Sequence, residues 1–109
     1  MQLLRHGYSI IVNRQEQDVG GVMQVPYRIP YDALLPKKSQ LTNVIVPVAA
    51  SMSHVRQNAV RMEPTWMIMG HASGTAAAMA AARSDGSVHD VNVLELQRAL
   101  LVQKQMLWP

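Results

Sequence analysis

The chain has 109 residues, enough for one domain and too few for two of ordinary size. Apolar residues make up 49% of it and the formal net charge is +3, which is the composition of a folding chain. Its basic residues are scattered apart from Lys37 and Lys38, so it has no basic stripe of the kind that binds nucleic acid. The absence of cysteine excludes disulfides, thiolate metal ligands and cysteine nucleophiles.

The start of the chain, Met-Gln-Leu-Leu-Arg-His-Gly, lacks the features of a secretory signal. It contains no apolar h-region and no small-residue cleavage site. We therefore predict no secretory signal and take the cytoplasm as the default compartment, although a shortened reading frame could have lost a leader.

The first part of the chain predicts short extended segments separated by turns. Residues 8–12, Tyr-Ser-Ile-Ile-Val, have the content of a strand, and residues 13–21 form a polar loop that ends in two glycines. Residues 25–31 must be extended, and their two prolines remove two ladder donors, which predicts an edge strand or a bridging segment. A polar turn follows at residues 37–43. Residues 44–48, Val-Ile-Val-Pro-Val, predict a strand buried on both faces.

The second part of the chain begins with a loop and a long helix. Residues 49–63 are mixed and polar, which is typical of a loop with a short helical turn. Residues 64–82 carry no Asp, Glu, Lys or Arg and no interior proline, and they are rich in Met and Ala. They predict a helix with Pro64 at its first position, where a missing N–H costs nothing. The segment 84–87, Ser-Asp-Gly-Ser, ends this helix.

The last predicted element is an amphipathic helix. Asn92 is a good N-cap, and Glu95 follows three residues later, as in a capping box. One face of this helix is apolar and consists of Val93, Leu96, Leu100 and Leu107. Three extended segments and two helices are a thin set for an independent α/β domain, because a strand such as residues 44–48 needs cover on both sides. The chain is therefore predicted to be part of a larger α/β fold.

Two glycines four residues apart, Gly70 and Gly74, lie inside the long predicted helix. Each costs about 1 kcal/mol relative to alanine, so a compensating reason is expected. Close packing against another element is the ordinary reason. A membrane span with a small-residue face is an alternative, against which stand the marginal length, His71 and Ser73. A phosphate-binding loop is excluded because no lysine follows the glycine at the required place.

Polar residues gather just before this helix. They are Ser53, His54, Arg56, Asn58, Arg61 and Glu63. Free N–H groups at a helix N-terminus favour negative charge, and Arg61 would add a fixed cation beside them. The ordinary alternative is that Ser53 and Glu63 cap helices while Arg61 pairs with Glu63 in solvent. His54 has no second histidine or carboxylate at metal-ligand spacing, so no metal site is predicted.

Five pieces of the sequence stand in an order that resembles a known family. They are Ile29-Pro-Tyr with Leu34-Leu-Pro, Thr42-Asn-Val-Ile-Val-Pro-Val, Ser51-Met-Ser-His, Arg61-Met-Glu-Pro-Thr-Trp-Met-Ile-Met-Gly-His-Ala-Ser-Gly-Thr-Ala-Ala-Ala, and Val91-Asn-Val-Leu-Glu-Leu-Gln-Arg-Ala-Leu. This succession, over residues 25–107, resembles the C-terminal part of the FAD-dependent oxidoreductase family, some of whose members are labelled xanthan lyase-like. Each piece alone is weak, but five in order are hard to obtain by chance.

The resemblance implies an α/β fold, the C-terminal fragment of a Rossmann-type FAD-binding fold, with short strands, a long Ala/Gly-rich helix and a terminal amphipathic helix. Residues 44–48 would be a late strand, and the N-terminus of the long helix would point toward the flavin. His54 and Arg61 would be the catalytic residues. The residues implied to bind the FAD cofactor are Ser53, Met62, Glu63, Pro64, Thr65 and Gly70. Helix N–H groups near Arg61 would stabilise the charge of reduced flavin and raise its reduction potential.

The sequence departs from the family pattern at single positions. Asp32 stands where a basic residue is usual after Pro-Tyr, and Arg56 stands where a small residue is frequent. His71 and Ser73 replace the glutamine and alanine of a Gly-Gln-Ala-Ala-Gly pattern. These changes leave the helix intact and put the details of the active-site loop in doubt.

The larger departure is the absence of a Gly-x-Gly-x-x-Gly turn, which in the family holds the pyrophosphate. The adjacent glycines, Gly20 and Gly21, lie in a polar loop that no predicted helix follows. We therefore expect residues 1–109 to be a single partial domain with little affinity for FAD and no turnover alone. Its predicted partner is the missing N-terminal half or a second copy, and its substrate is unknown. The alternative is a non-catalytic domain whose helices serve packing or self-association.

Overall fold

The computed structural model of the chain describes residues 9–13, 27–54, 57, 60–61 and 63–107. In chain order it contains strand β1 (Ser9–Asn13), strand β2 (Tyr27–Pro30), a 3-10 helix (Tyr31–Leu34), helix α1 (Glu63–Ala81), a second 3-10 helix (Val88–Asp90) and helix α2 (Val93–Val102). The core lies between α1, α2 and the 3-10 helices.

The two strands pair antiparallel and form a two-stranded sheet. Ile11 lies opposite Ile29, and an irregularity in the register falls between Ser9 and Ile11. The predicted strand at residues 8–12 is confirmed within one residue over the part that is described. The extended segment predicted at residues 25–31 is confirmed at Tyr27–Pro30, after which the chain turns into a 3-10 helix.

The first 3-10 helix anchors the sheet to the second half of the chain. Tyr31 is 1% exposed, and its hydroxyl donates to the Val88 carbonyl oxygen at 2.8 Å. The turn at residues 37–43, confirmed as predicted, adds bonds to the second 3-10 helix. The Val88 N–H donates to the Thr42 carbonyl at 2.9 Å, and Nζ of Lys38 lies 3.0 Å from a carboxylate oxygen of Asp90. The two halves of the chain are therefore joined by hydrogen bonds over a long sequence separation.

Helix α1 follows the predicted segment 64–82 within one residue at each end. Its inner face packs on α2, on β1 and on the second 3-10 helix. The buried residues of this face are Thr65, Met69, Ala72, Ser73, Ala76 and Ala80. After α1 the chain turns through Gly86, whose φ of +60° is the left-handed conformation that glycine adopts without strain. The predicted end of the helix is confirmed.

Helix α2 begins and ends with defined caps. The side-chain oxygen of Asn92 accepts from the N–H groups of Leu94 and Glu95, as the predicted N-cap requires. At the other end, the Gln105 N–H donates to Leu100 O at 2.8 Å and the Lys104 N–H donates to Leu101 O at 2.9 Å. With Lys104 at φ 64°, this pair of bonds is a Schellman motif. Lys104 occupies the position that glycine usually takes.

The strand predicted at residues 44–48 is wrong. No residue of this segment is in a strand, and Val48 is 58% exposed. Pro47 has no N–H to donate to a ladder. Within the described residues, the backbone bond of this segment is the one from the Val46 N–H to Leu34 O at 2.7 Å. An apolar run becomes a buried strand only where neighbouring strands pair with it, and the described two-stranded sheet lies elsewhere.

The position of Leu107 also differs from its prediction. The sequence pattern placed Leu107 on the apolar face of the last helix with Leu96 and Leu100, but α2 ends at Val102. Leu107 is nevertheless 1% exposed, because the left-handed turn at Lys104 returns the chain to the core. The predicted burial is correct and the predicted helical path to it is wrong.

Candidate functional site

The loop that leads to α1 contains the first two predicted site residues. Ser53 and His54 are both exposed, and the Ser53 carbonyl oxygen accepts from the Gln57 N–H at 2.9 Å. His54, Gln57 and Val60 have helical conformation, as expected for a short helical turn in this region. Val60 is 4% exposed and anchors the turn to the core. Among the described residues of this loop, Ser53, His54 and Gln57 are therefore exposed, whereas Val60 is buried.

Three more predicted site residues stand at the start of α1. Arg61 is exposed two residues before the helix, Glu63 is its first residue, and Pro64 takes its second position. Arg61 and Glu63 are both exposed, and the ion pairs found in the described part of the chain lie elsewhere. Met62 falls outside the described residues. Arg61 thus lies close in sequence to the N-terminus of α1, the positive end of the helix dipole.

The last two predicted site residues lie on opposite faces of α1. Thr65 is 0% exposed and belongs to the inner face, where its side chain packs in the core. Gly70 is exposed, and a Cβ placed on it would meet no atom within 4 Å. The roles that the sequence assigns to these two residues in binding a cofactor remain predictions. Of the two, Gly70 is the one with open space in front of its backbone.

From Met67 to Ala81 the outer face of α1 is exposed and carries no charge, and Glu63 lies on the same side one turn earlier. We call it the glycine face; its residues are Met67, Gly70, Gly74, Ala77, Ala78 and Ala81, which fall on one side of a helix by their spacing. Met67 is 74% exposed, and Gly74, like Gly70, has nothing within 4 Å of a built Cβ. The close neighbour that the glycines predict is therefore not among the described residues. A helix that is apolar on all sides normally has cover on all sides.

A polar cluster beside the glycine face was not predicted. Nδ1 of His71 lies 2.9 Å from Oε1 of Gln105, and Nε2 of His71 is within hydrogen-bond distance of Oε1 of Gln103. The Thr75 hydroxyl lies 3.0 Å from the same Gln103 oxygen and 3.1 Å from the His71 carbonyl. His71 and the two glutamines are more than 30 residues apart in sequence, so no local pattern could have indicated the contact.

A shallow groove runs along α1 next to this cluster. Its lining is made by Gly70, His71, Gly74, Thr75, Ala78, Met79, Ala82 and Gln103. All but Gln103 belong to α1 or to the turn directly after it, so the groove is an open flank of one helix with a single polar wall. Such a surface can accept an apolar segment or a flat ring against the helix backbone.

Among the described residues, the lining of the groove contains no Asp, Glu, Lys or Arg. A hydrogen bond from Lys38 holds the pKa of Asp90 below its usual value. The backbone N–H of Ser87, and secondly Arg83, lower the pKa of Asp85.

Among the described residues, no three His, Asp or Glu side chains stand together as a metal ion would need. None of the helices in this part of the chain is both long and apolar enough to cross a membrane.

The fold, with a small sheet and two packed helices, is compatible with a piece of an FAD-binding α/β domain. A family model described as FAD dependent oxidoreductase matches residues 5–100. The chain belongs to the FAD-dependent oxidoreductase family. No curated protein and no solved structure is significantly similar to it. The family resemblance of the sequence is thus confirmed, while the assignment to the C-terminal part of the family and the likeness to xanthan lyase-like members stay predictions.

Proposed function

We propose that this chain supplies the flavin-facing helix and the active-site loop of an FAD-dependent oxidoreductase. The observation that carries the proposal is the open glycine face of α1, which continues from a helix N-terminus beside Arg61. It joins two properties that a flavin requires: donors for negative charge and room for a flat ring close to backbone. Family membership supports the identity of the cofactor.

The residues present fit the isoalloxazine end of FAD. The Cβ position of Gly70 is open, and the first turn of α1, which begins at Glu63, is the proposed source of backbone N–H donors. When bound, the flavin accepts electrons from a substrate and thereby gains negative charge. The helix N-terminus and Arg61 stabilise that charge and raise the reduction potential. His54, exposed on the preceding turn, is the proposed acid or base toward the substrate.

The residues present do not fit the pyrophosphate end of FAD. No Gly-x-Gly-x-x-Gly turn exists in the 109 residues, so the backbone cradle that holds the two phosphates is missing from this sequence. A dinucleotide-binding unit from outside these residues must supply it. We propose that this unit packs on the glycine face, where Gly70 and Gly74 permit close approach. The chain alone is then half of a site and has no turnover.

The first experiment measures flavin retention. The chain purified alone is expected to show no flavin absorbance and no saturable quenching of FAD fluorescence. Fusion to, or mixing with, a dinucleotide-binding unit of the family is expected to restore both. Flavin bound by the chain alone would contradict the proposed half-site.

The second experiment tests the helix N-terminus in the flavin-loaded protein. Arg61→Gln is expected to lower the reduction potential of the flavin, because it removes a fixed cation near the developing charge. Arg98→Gln is the matched control, since Arg98 is exposed on α2, far along the chain from the start of α1. Equal potentials for the two variants would remove Arg61 from the site.

A second candidate function is a non-catalytic domain that associates with itself. The observation that favours it is the same uncharged glycine face, because a surface without charge can pack on its own copy without repulsion. Sedimentation of the purified chain tests it. A dimer that Ala78→Glu dissociates and Ser84→Glu leaves intact supports self-association; a monomer that binds a dinucleotide unit supports the flavin function.

A further inference from the structure

Residues 103–107, which we call the strap, return from α2 to the side of α1. The return depends on Lys104, whose φ of 64° lies in the left-handed region that non-glycine residues avoid. This turn places the side chains of Gln103 and Gln105 on the two ring nitrogens of His71 and brings Leu107 into the core. Met106 between them is 62% exposed. The strap is thus held at His71 and at Leu107.

The contacts that fix the strap in place are weaker than those that fix either helix. His71, Gln103 and Lys104 are exposed, so the hydrogen bonds of the latch compete with water. In the described structure, the backbone bonds made by the strap are the helical bond of Gln103 and the two bonds of the Schellman motif, all from its first three residues back to α2. The backbone of Lys104 is in the left-handed region, which is strained for a residue that has a Cβ atom. This strain disfavours the closed position of the strap. Regions with few buried apolar contacts and exposed hydrogen bonds open before the rest of a fold.

We propose that the strap opens and closes over α1 while both helices stay folded, and that His71 is its latch. Opening removes Gln103 from the wall of the groove on α1 and uncovers the core position that Leu107 fills. Gln103 is the one lining residue that belongs neither to α1 nor to the turn directly after it, so the groove loses this wall when the strap opens. This conformational device holds whether or not the chain takes part in flavin chemistry, since it rests on contacts within the chain.

The charges around the latch do not drive its opening. Between Pro64 and Ala82, α1 carries no ionisable side chain except His71. From the strap, Lys104 is the ionisable group, and it is exposed. Both glutamine side chains can turn their amide so that either oxygen or nitrogen faces the ring. Removal of the ring is therefore the change that tests the latch.

The absence of cysteine makes thiol labelling a clean test. A single cysteine is introduced as Leu107→Cys to report strap opening, and separately as Leu100→Cys to report opening of α2. Both positions are nearly inaccessible, at 1% and 0% exposed. In each background the labelling rate is measured with and without His71→Ala. Met67→Ala, a change at a largely exposed side chain on the same helix, is the matched control.

The expected result is that His71→Ala raises the labelling rate at position 107 about tenfold, the effect of losing one or two net hydrogen bonds. The rate at position 100 and both rates with Met67→Ala stay unchanged. Equal acceleration at positions 107 and 100 would overturn the proposal, because the helices would be opening with the strap. No acceleration at position 107 would remove His71 as the latch.

Amide exchange provides a second measurement without cysteine. The Gln105 N–H, bonded to Leu100 O, reports the strap, and the Leu96 N–H, bonded to Asn92 O at 3.0 Å, reports α2. His71→Ala is expected to speed exchange at Gln105 and to leave Leu96 unchanged. This comparison decides the question if Leu107→Cys does not fold, and parallel changes at both amides would overturn the proposal.

Discussion

Helices α1 and α2 pack on the same core, but their outer sides differ. Helix α2 is amphipathic: it buries Leu96 and Leu100 at 0% exposed and turns Glu95 and Arg98 to solvent. Helix α1 buries one face equally well, but its other face is the uncharged glycine face. A complete surface helix has a polar outer side. Helix α2 also exposes Leu94, Leu101 and Val102, so its outer side mixes charged and apolar side chains, whereas the glycine face of α1 is uncharged throughout.

The largest expected effect concerns the shared interior of the two helices. Leu96→Ala is expected to destabilise the protein by about 2–5 kcal/mol, because it leaves a cavity in a fully buried position. Met67→Ala on the glycine face is expected to change stability by less than about 0.5 kcal/mol, since Met67 is 74% exposed. Urea unfolding measures both. A large loss with Met67→Ala would mean that the glycine face is already covered and would break the comparison.

Glycine substitutions test the same difference through the backbone. Gly74→Ala is expected to stabilise the isolated chain by about 1 kcal/mol, because alanine is the better helix former and no atom lies within 4 Å of its Cβ. Gly86→Ala is expected to destabilise it by about 1–2 kcal/mol, because φ is +60° there. Thermal unfolding measures both. If the glycine face docks a partner, Gly74→Ala also weakens that binding, and unchanged affinity would argue against close approach at this position.

The N-cap of α2 is expected to contribute less. Asn92→Ala removes the acceptor of two backbone N–H groups and is expected to cost about 1 kcal/mol. Asn92→Asp, which keeps an acceptor, should retain the stability. Denaturant titration of the three proteins measures the difference, and equal losses for Ala and Asp would show that the cap is not the cause.

The smallest expected effect is the pH dependence of the contact between residues 38 and 90. Because Lys38 lowers the pKa of Asp90 in the folded state, this pair contributes stability above the usual titration range of aspartate, and the contribution is lost as pH falls through the folded pKa. Lys38→Ala is expected to return the pKa of Asp90 toward its usual value. Arg83→Ala should leave the pKa of Asp85 lowered, because the Ser87 N–H is the larger cause. Carboxyl titration by NMR checks both.

Much of the local structure could be predicted from the sequence because its causes are local. The limits of α1 follow from Pro64 and from the segment 84–87, and the start of α2 follows from Asn92. The strand predicted at residues 44–48 failed for the opposite reason. Its apolar run satisfied the pattern of a buried strand, but a strand exists only if another strand pairs with it.

The candidate site divides in the same way. The sequence itself shows four polar residues before a segment without charge: Ser53, His54, Arg61 and Glu63. This order was part of the family resemblance, which the family match confirms. That Thr65 faces the core while Gly70 faces open space depends on how α1 sits on its neighbours. Spacing alone separates the two faces of a helix but does not say which face is covered.

The sequence by itself determined the starts of both helices, the end of α1, the N-cap of α2, the missing phosphate turn and the family. The tertiary structure alone decided which groups meet: Tyr31 with Val88, and His71 with Gln103 and Gln105. The physical reason is the sequence separation over which each kind of interaction acts. Propensity, capping and turn chemistry act within a few residues, whereas contacts between residues 32 to 57 positions apart exist only after burial of the core has fixed the path of the chain.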